Sequence, residues 1–165
     1  MNGVDIALII IILWGAYVGY KEGFLLSLIS LLAIVLGVLG GFKLMGYAMI
    51  LLKDQFHVDN TMLPYISFGV VFILIVIVVS LLGRSMKASI DKNFLGTVDQ
   101  VAGGLLGLLK VAFMTSVVVW LFNSMKISPG EKWTKDSWLY PKIAIFAPEV
   151  THWLGQFIPV FKNIF

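Results

Sequence analysis

The stretch VDQVAGGLLGLLKVAF (residues 98–113) decides how this chain is read. It is a run of Gly, Leu, Val and Ala long enough to enter a bilayer, yet Lys110 lies inside it and Asp99 stands at its beginning. A charged lysine at the bilayer centre costs at least ~2.5–3.5 kcal/mol on insertion scales, so such a residue has to face a protein interior, a wet pocket or the interface. The composition around the stretch agrees with a membrane setting. Of 165 residues, 59% are hydrophobic and 13% charged, against about 45–50% and about 25% in soluble domains. The chain reads as an integral membrane protein.

A helix needs about 20 apolar residues to cross ~30 Å of hydrocarbon. Four segments meet this or come close: residues 4–20, 24–42, 64–83 and 101–122. Each has to be helical, because an isolated strand leaves its backbone unsatisfied in lipid. Asp5 suits the positive N-terminal end of the first helix, and Pro64 suits an early helical position in the third. Tyr20-Lys-Glu-Gly23 makes a tight turn between the first two spans, residues 44–56 fall at the interface, and residues 85–97 form a polar link. The expected fold is an all-α, four-helix transmembrane bundle over residues 1–125, followed by an extramembrane or interfacial tail over residues 126–165.

In the tail, Ser128-Pro-Gly130 signals a turn, and Pro141, Pro148 and Pro159 divide the remaining residues into short pieces. Val150, Trp153, Leu154, Phe157 and Ile158 recur at i, i+3, i+4, i+7 and i+8, one face of a helix. With Trp133 and Trp138 nearby, the pattern predicts a C-terminal amphipathic helix at the membrane interface, with packing on the bundle or in a partner's groove as the alternative. Lysines fall on both sides of the four spans, so charge alone leaves the orientation open.

Catalytic patterns are scarce. Cysteine is absent, which excludes disulfides and thiolate chemistry, and 12 basic against 9 acidic residues leave a net charge of only +3. There is no basic stripe with interleaved aromatics, so nucleic-acid binding is not expected. His57 and His152 have no metal-ligand spacing to another donor, and neither a cofactor nor a metal is implied. Hydroxyls such as Ser27 in the spans usually bond back to the helix or across to a neighbour; a Ser/Lys pairing such as Ser27 with Lys110 is left open. The chain is expected not to be an enzyme.

Gly15, Gly19 and Gly23 are spaced by four, as are Gly37 and Gly41, and Gly103 and Gly107. Small residues at this spacing let helix backbones approach closely, within a chain or between protomers. The grooves of the first and fourth spans lie in the same leaflet and can meet. Asp99 and Lys110 are eleven apart, on one face, about 16 Å along the axis. Lys110 then lies about 7 Å from the level of Asp5 on the first span, and the expectation is an Asp5–Lys110 pair. Asp5, Asp99 and Lys110 are the candidate functional polar face.

Val4-Asp5 opening the first span, Gly19-Tyr-Lys-Glu-Gly-Phe24 at the first turn, and Leu95-Gly-Thr-Val-Asp-Gln-Val-Ala-Gly-Gly-Leu-Leu-Gly-Leu-Leu-Lys110 resemble the colicin V production protein (CvpA) family, as does the tail's Trp133, Ser137, Leu139 and Pro141. Where that family often carries Arg, this chain has Gln100, Lys21 and Lys110; lysine keeps the charge without the bidentate fork. The resemblance implies a four-span protein of the bacterial inner membrane that supports colicin V production or export, or envelope homeostasis, with both termini extracytoplasmic. The lipid bilayer, other copies of the chain or other membrane proteins are the expected partners. A small channel or transporter with a polar path at Lys110 and Asp99 is the competing reading.

Overall fold

A computed structural model describes residues 2–56, 61–88, 96–126, 134 and 136–157. All regular structure among them is helical: α1 (Gly3–Phe56), α2 (Leu63–Ala88), α3 (Thr97–Ser124) and α4 (Tyr140–Phe157). Three helices have segments long and apolar enough to cross a membrane, Gly3–Lys53, Leu63–Ser85 and Thr97–Ser124. The chain is an all-α membrane protein.

If straight, the 54 residues of α1 would extend about 81 Å, far beyond the ~30 Å of hydrocarbon. It is not straight. Gly23 has φ 80° and ψ 174°, a region of backbone space open essentially to glycine alone. The Ser27 hydroxyl donates to the Gly19 carbonyl at 3.3 Å. Eight residues of unbroken helix would advance about 12 Å, so the helix is sharply bent at Gly23. The expected turn over residues 20–23 therefore shrinks to one residue, with Tyr20, Lys21 and Glu22 remaining helical. Helix also continues beyond the expected end at residue 42, through the segment assigned to the interface, as far as Phe56; residues 44–56 contain no proline to stop it.

The chain divides into two compact units, Met1–Leu28 with Asp91–Phe165, and Ile29–Ile90. In the second unit, α2 runs antiparallel to the later part of α1. Gly83 meets Ile29, Gly37 meets Phe72 and Val76, and Gly41 meets Phe68. The absent side chains of Gly37 and Gly41 make room for aromatic rings: Phe68 lies 4.7 Å from Phe42 and 5.9 Å from Phe72, centroid to centroid. Ala33, Ile34, Val38, Phe68 and Phe72 are buried around this contact. Lipid tails are as apolar as these side chains, so close fit rather than water exclusion holds the pair together.

In the first unit, the opening segment of α1 packs against α3, and α4 packs against both. Leu8 of α1, Ala112 of α3 and Ile143 of α4 form a buried cluster, flanked by Val4, Ile12, Leu139, Tyr140 and Phe146. Phe146 meets Phe113 edge-on at 6.1 Å. Contrary to the expected break, α4 passes through Pro148. Proline supplies no N–H, which leaves the Ala144 carbonyl without its helical donor; beside it the Ala147 N–H donates to the buried Ser116 hydroxyl at 2.7 Å and ties the helix to α3.

Candidate functional site

The contact between α1 and α3 is built by glycine on both sides. A side chain at Gly19 would strike the Gly103 carbonyl and the Gly107 backbone, and one at Gly107 would strike the Gly15 carbonyl and the Gly19 backbone. Gly15 receives Val111, and Gly103 lies against Gly19 and Gly23. The two helices therefore run antiparallel with backbone against backbone. The expected meeting of the Gly15-Gly19-Gly23 and Gly103-Gly107 grooves is realised.

Asp99 closes one end of this seam. Its Oδ1 accepts the Phe24 N–H at 3.1 Å, and its carboxyl occupies the space a side chain at Gly23 would need. Phe24 is where helix resumes after the bend, so its N–H is one of the orphan donors of a helix start. A carboxylate there satisfies a donor and meets the positive end of the helix dipole. Asp99 also lies in the first turn of α3, so one carboxylate serves two helix starts. Its Oδ2 is buried and takes no hydrogen bond among the described residues.

Asp5 does the same work at the opposite end of the α1–α3 contact. It is 3% exposed. Oδ1 accepts the Ser137 hydroxyl and the Leu139 N–H at 3.0 Å; Oδ2 accepts the Asn2 N–H at 3.1 Å and the Trp138 N–H at 3.4 Å. The Ser137 oxygen in turn accepts the Tyr140 N–H at 3.0 Å, which is helix N-capping by a serine three residues ahead. Asp5 and Ser137 together cap α4, and the Tyr140 hydroxyl donates to Asn123 of α3 at 3.1 Å.

Lys110 does not pair with Asp5. Its Nζ lies 3.0 Å from Glu22 Oε2, the two side chains being 12% and 23% exposed. Direction decides the choice. Side chains on a helix lean toward its N-terminus, and the N-terminus of α3 is the Asp99–Gly23 end, away from Asp5. The lysine stem follows that lean along the seam to the acid beside the turn. Nor does Ser27 pair with Lys110, since its hydroxyl donates to Gly19.

Of the expected site residues, Asp99 and Lys110 share the α1–α3 seam, and Asp5, in the first turn of α1, binds the tail instead. Gly37 and Gly41 belong to the second unit. Trp138 is 70% exposed beneath the Lys142 ammonium, which lies 3.6 Å from its ring centroid. Trp153 is exposed on α4, and Phe157 is the last residue of that helix. Trp133, His57 and Ile158 lie outside the described residues, and His152 is exposed. Glu22, Ser116 and Ser137 are the polar partners that spacing did not reveal. For Ser137 a signal was present: a serine a few residues before Pro141 is a helix-start pattern. Glu22 and Ser116 carried none, because each is chosen by a neighbour distant in sequence.

A glycine seam between apolar helices, with carboxylates capping helices other than their own, defines a helical membrane protein whose polar residues join elements. The chain belongs to the family described as Colicin V production protein, whose profile matches residues 4–155. No curated protein and no solved structure matches the chain.

Proposed function

We propose that this chain is a non-enzymatic, four-pass protein of the bacterial inner membrane that supports colicin V production or export, or envelope homeostasis, through contacts with itself or with other membrane proteins. The observation carrying this reading is the use of the ionisable groups along α1 and α3. Asp5 is bound to backbone N–H groups and Ser137, Asp99 to a helix start, and Lys110 to Glu22. These groups are arranged to join helices. Support for four passes comes from α1, which is too long for one crossing and turns at Gly23. With four passes both termini lie on one side, extracytoplasmic by analogy with the family. The tail then starts at that surface, where Trp138 with Lys142 over its ring suits an interfacial anchor and α4 an interfacial helix.

The test is deletion of the gene in its own host, followed by complementation with wild type and with Lys110→Met. The expected result is reduced toxin output or raised sensitivity to detergents, restored by wild type. An unchanged phenotype in both assays sinks the reading. One observation favours transport instead: the second Asp99 oxygen, buried without a hydrogen bond among the described residues, on the same seam as the Lys110–Glu22 pair. Lys110-dependent flux of an ion or small solute through purified protein in liposomes would establish that alternative.

A further inference from the structure

The outward face of α4 has a sequence pattern that its inward face does not need. Ile143 and Ala147 are buried against α1 and α3. Opposite them Lys142, Ile145, Glu149 and Trp153, with Trp138 just ahead of the helix, succeed one another at steps of three or four residues. At 100° per residue these positions fall on a single stripe. All are exposed, Ile145 at 51% and Trp153 at 58%. An amphipathic helix resting on lipid turns its apolar face to the acyl chains, but here that face is taken by α1 and α3. What remains outward is aromatic, base, aliphatic, acid, aromatic. The order reads alike from either end, with opposite charges exchanged: Lys142 and Glu149 share one midpoint with Trp138 and Trp153, between residues 145 and 146.

We propose that this stripe is the contact of a homodimer in which α4 packs antiparallel against α4 of a second copy. The proposal rests on the interfacial placement of α4 under the proposed function. Two helices lying in the membrane plane and related by a two-fold axis along its normal run antiparallel across that axis. An isologous contact places each residue against its complement twice. Lys142 of one copy, leaving the face of its own Trp138 ring, then meets Glu149 of the other, Trp138 meets Trp153, and Ile145 lies near the axis against its counterpart. Complementary charge thus selects a second copy over lipid as the occupant, since lipid offers Glu149 no cation in a fixed place.

The chain has no cysteine, so Ile145→Cys gives one thiol per copy near the axis. The full-length protein in phospholipid vesicles is oxidised with copper phenanthroline, and the expected product is a disulfide-linked dimer. Lys142→Glu or Glu149→Lys in that background lowers the cross-linked fraction roughly fivefold to tenfold, as two symmetry-related pairs of this kind allow, and the double exchange restores it. A nitroxide attached to the introduced thiol, read for collisions with oxygen and with a water-soluble nickel chelate, separates this inference from the placement it rests on. A label at the membrane surface with no dimer, or a dimer indifferent to the charge exchange, overturns the α4 contact and leaves the placement standing. A label seen only by nickel removes the placement, and the antiparallel geometry with it.

Discussion

At the scale of single residues, the protein turns on positions where one atom decides. Gly23 combines a backbone conformation reserved for glycine with a neighbour, the Asp99 carboxyl, that fills the space of a side chain. Gly23→Ala should therefore destabilise by about 1–3 kcal/mol from the backbone alone, with a further loss from displacing Asp99, seen as a lower melting temperature in detergent. Asp99→Ala should cost about 1 kcal/mol as a lost helix cap, and Asp99→Asn less, because its remaining oxygen still accepts the Phe24 N–H. Lys110→Met removes the charged hydrogen bond to Glu22 and should cost about 1–3 kcal/mol; exchanging the two charges should recover part of it. Asp5, Asp99 and Lys110 were easy to single out in the sequence, since charges in apolar runs are conspicuous. Their partners were not. Counting residues placed Lys110 near Asp5 in height, but the lean of side chains along α3 carries the ammonium the other way, to Glu22.

Among the elements, the seam between α1 and α3 gives the sharpest geometric test. A side chain at Gly104 would lie 3.6 Å from Tyr20 Cβ, within the ~3.5–4.5 Å separation of a disulfide's Cβ atoms. Tyr20→Cys with Gly104→Cys should therefore oxidise readily and shift mobility on a non-reducing gel; a pair that stays reduced under strong oxidant contradicts the antiparallel seam. The reach of the helices was readable from apolar run lengths, and the meeting of the Gly15-Gly19-Gly23 groove with Gly103-Gly107 from four-residue spacing. The continuity of α1 through residues 44–56, and of α4 through Pro148, was not. Proline usually ends a helix, and the bond that ties the helix beside it, from the Ala147 N–H to the Ser116 hydroxyl, is made to another element.

On the scale of the whole molecule, the tail is secured to the transmembrane helices through Asp5, the Leu8–Ala112–Ile143 cluster, the Phe146–Phe113 contact and the Ala147–Ser116 hydrogen bond. Asp5→Ala removes the acceptor for Ser137, Trp138 and Leu139 together. The expected outcome is faster tryptic cleavage after exposed Lys142 while α1 and α3 stay protected, monitored by gel and mass spectrometry; unchanged cleavage would mean the apolar cluster suffices. Membrane class was legible from composition alone. The docking of α4 through Ile143 and Ala147 was hidden by a more conspicuous pattern at residues 150–158. The Asp99 cap, finally, has a consequence for how the protein is made. The N–H it receives belongs to Phe24, 75 residues earlier in the chain. During synthesis the bend at Gly23 therefore emerges from the ribosome long before its cap exists. The helix start after Gly23 has to wait until the beginning of α3 is translated; a nascent chain stopped short of Asp99 carries the Phe24 N–H without this acceptor.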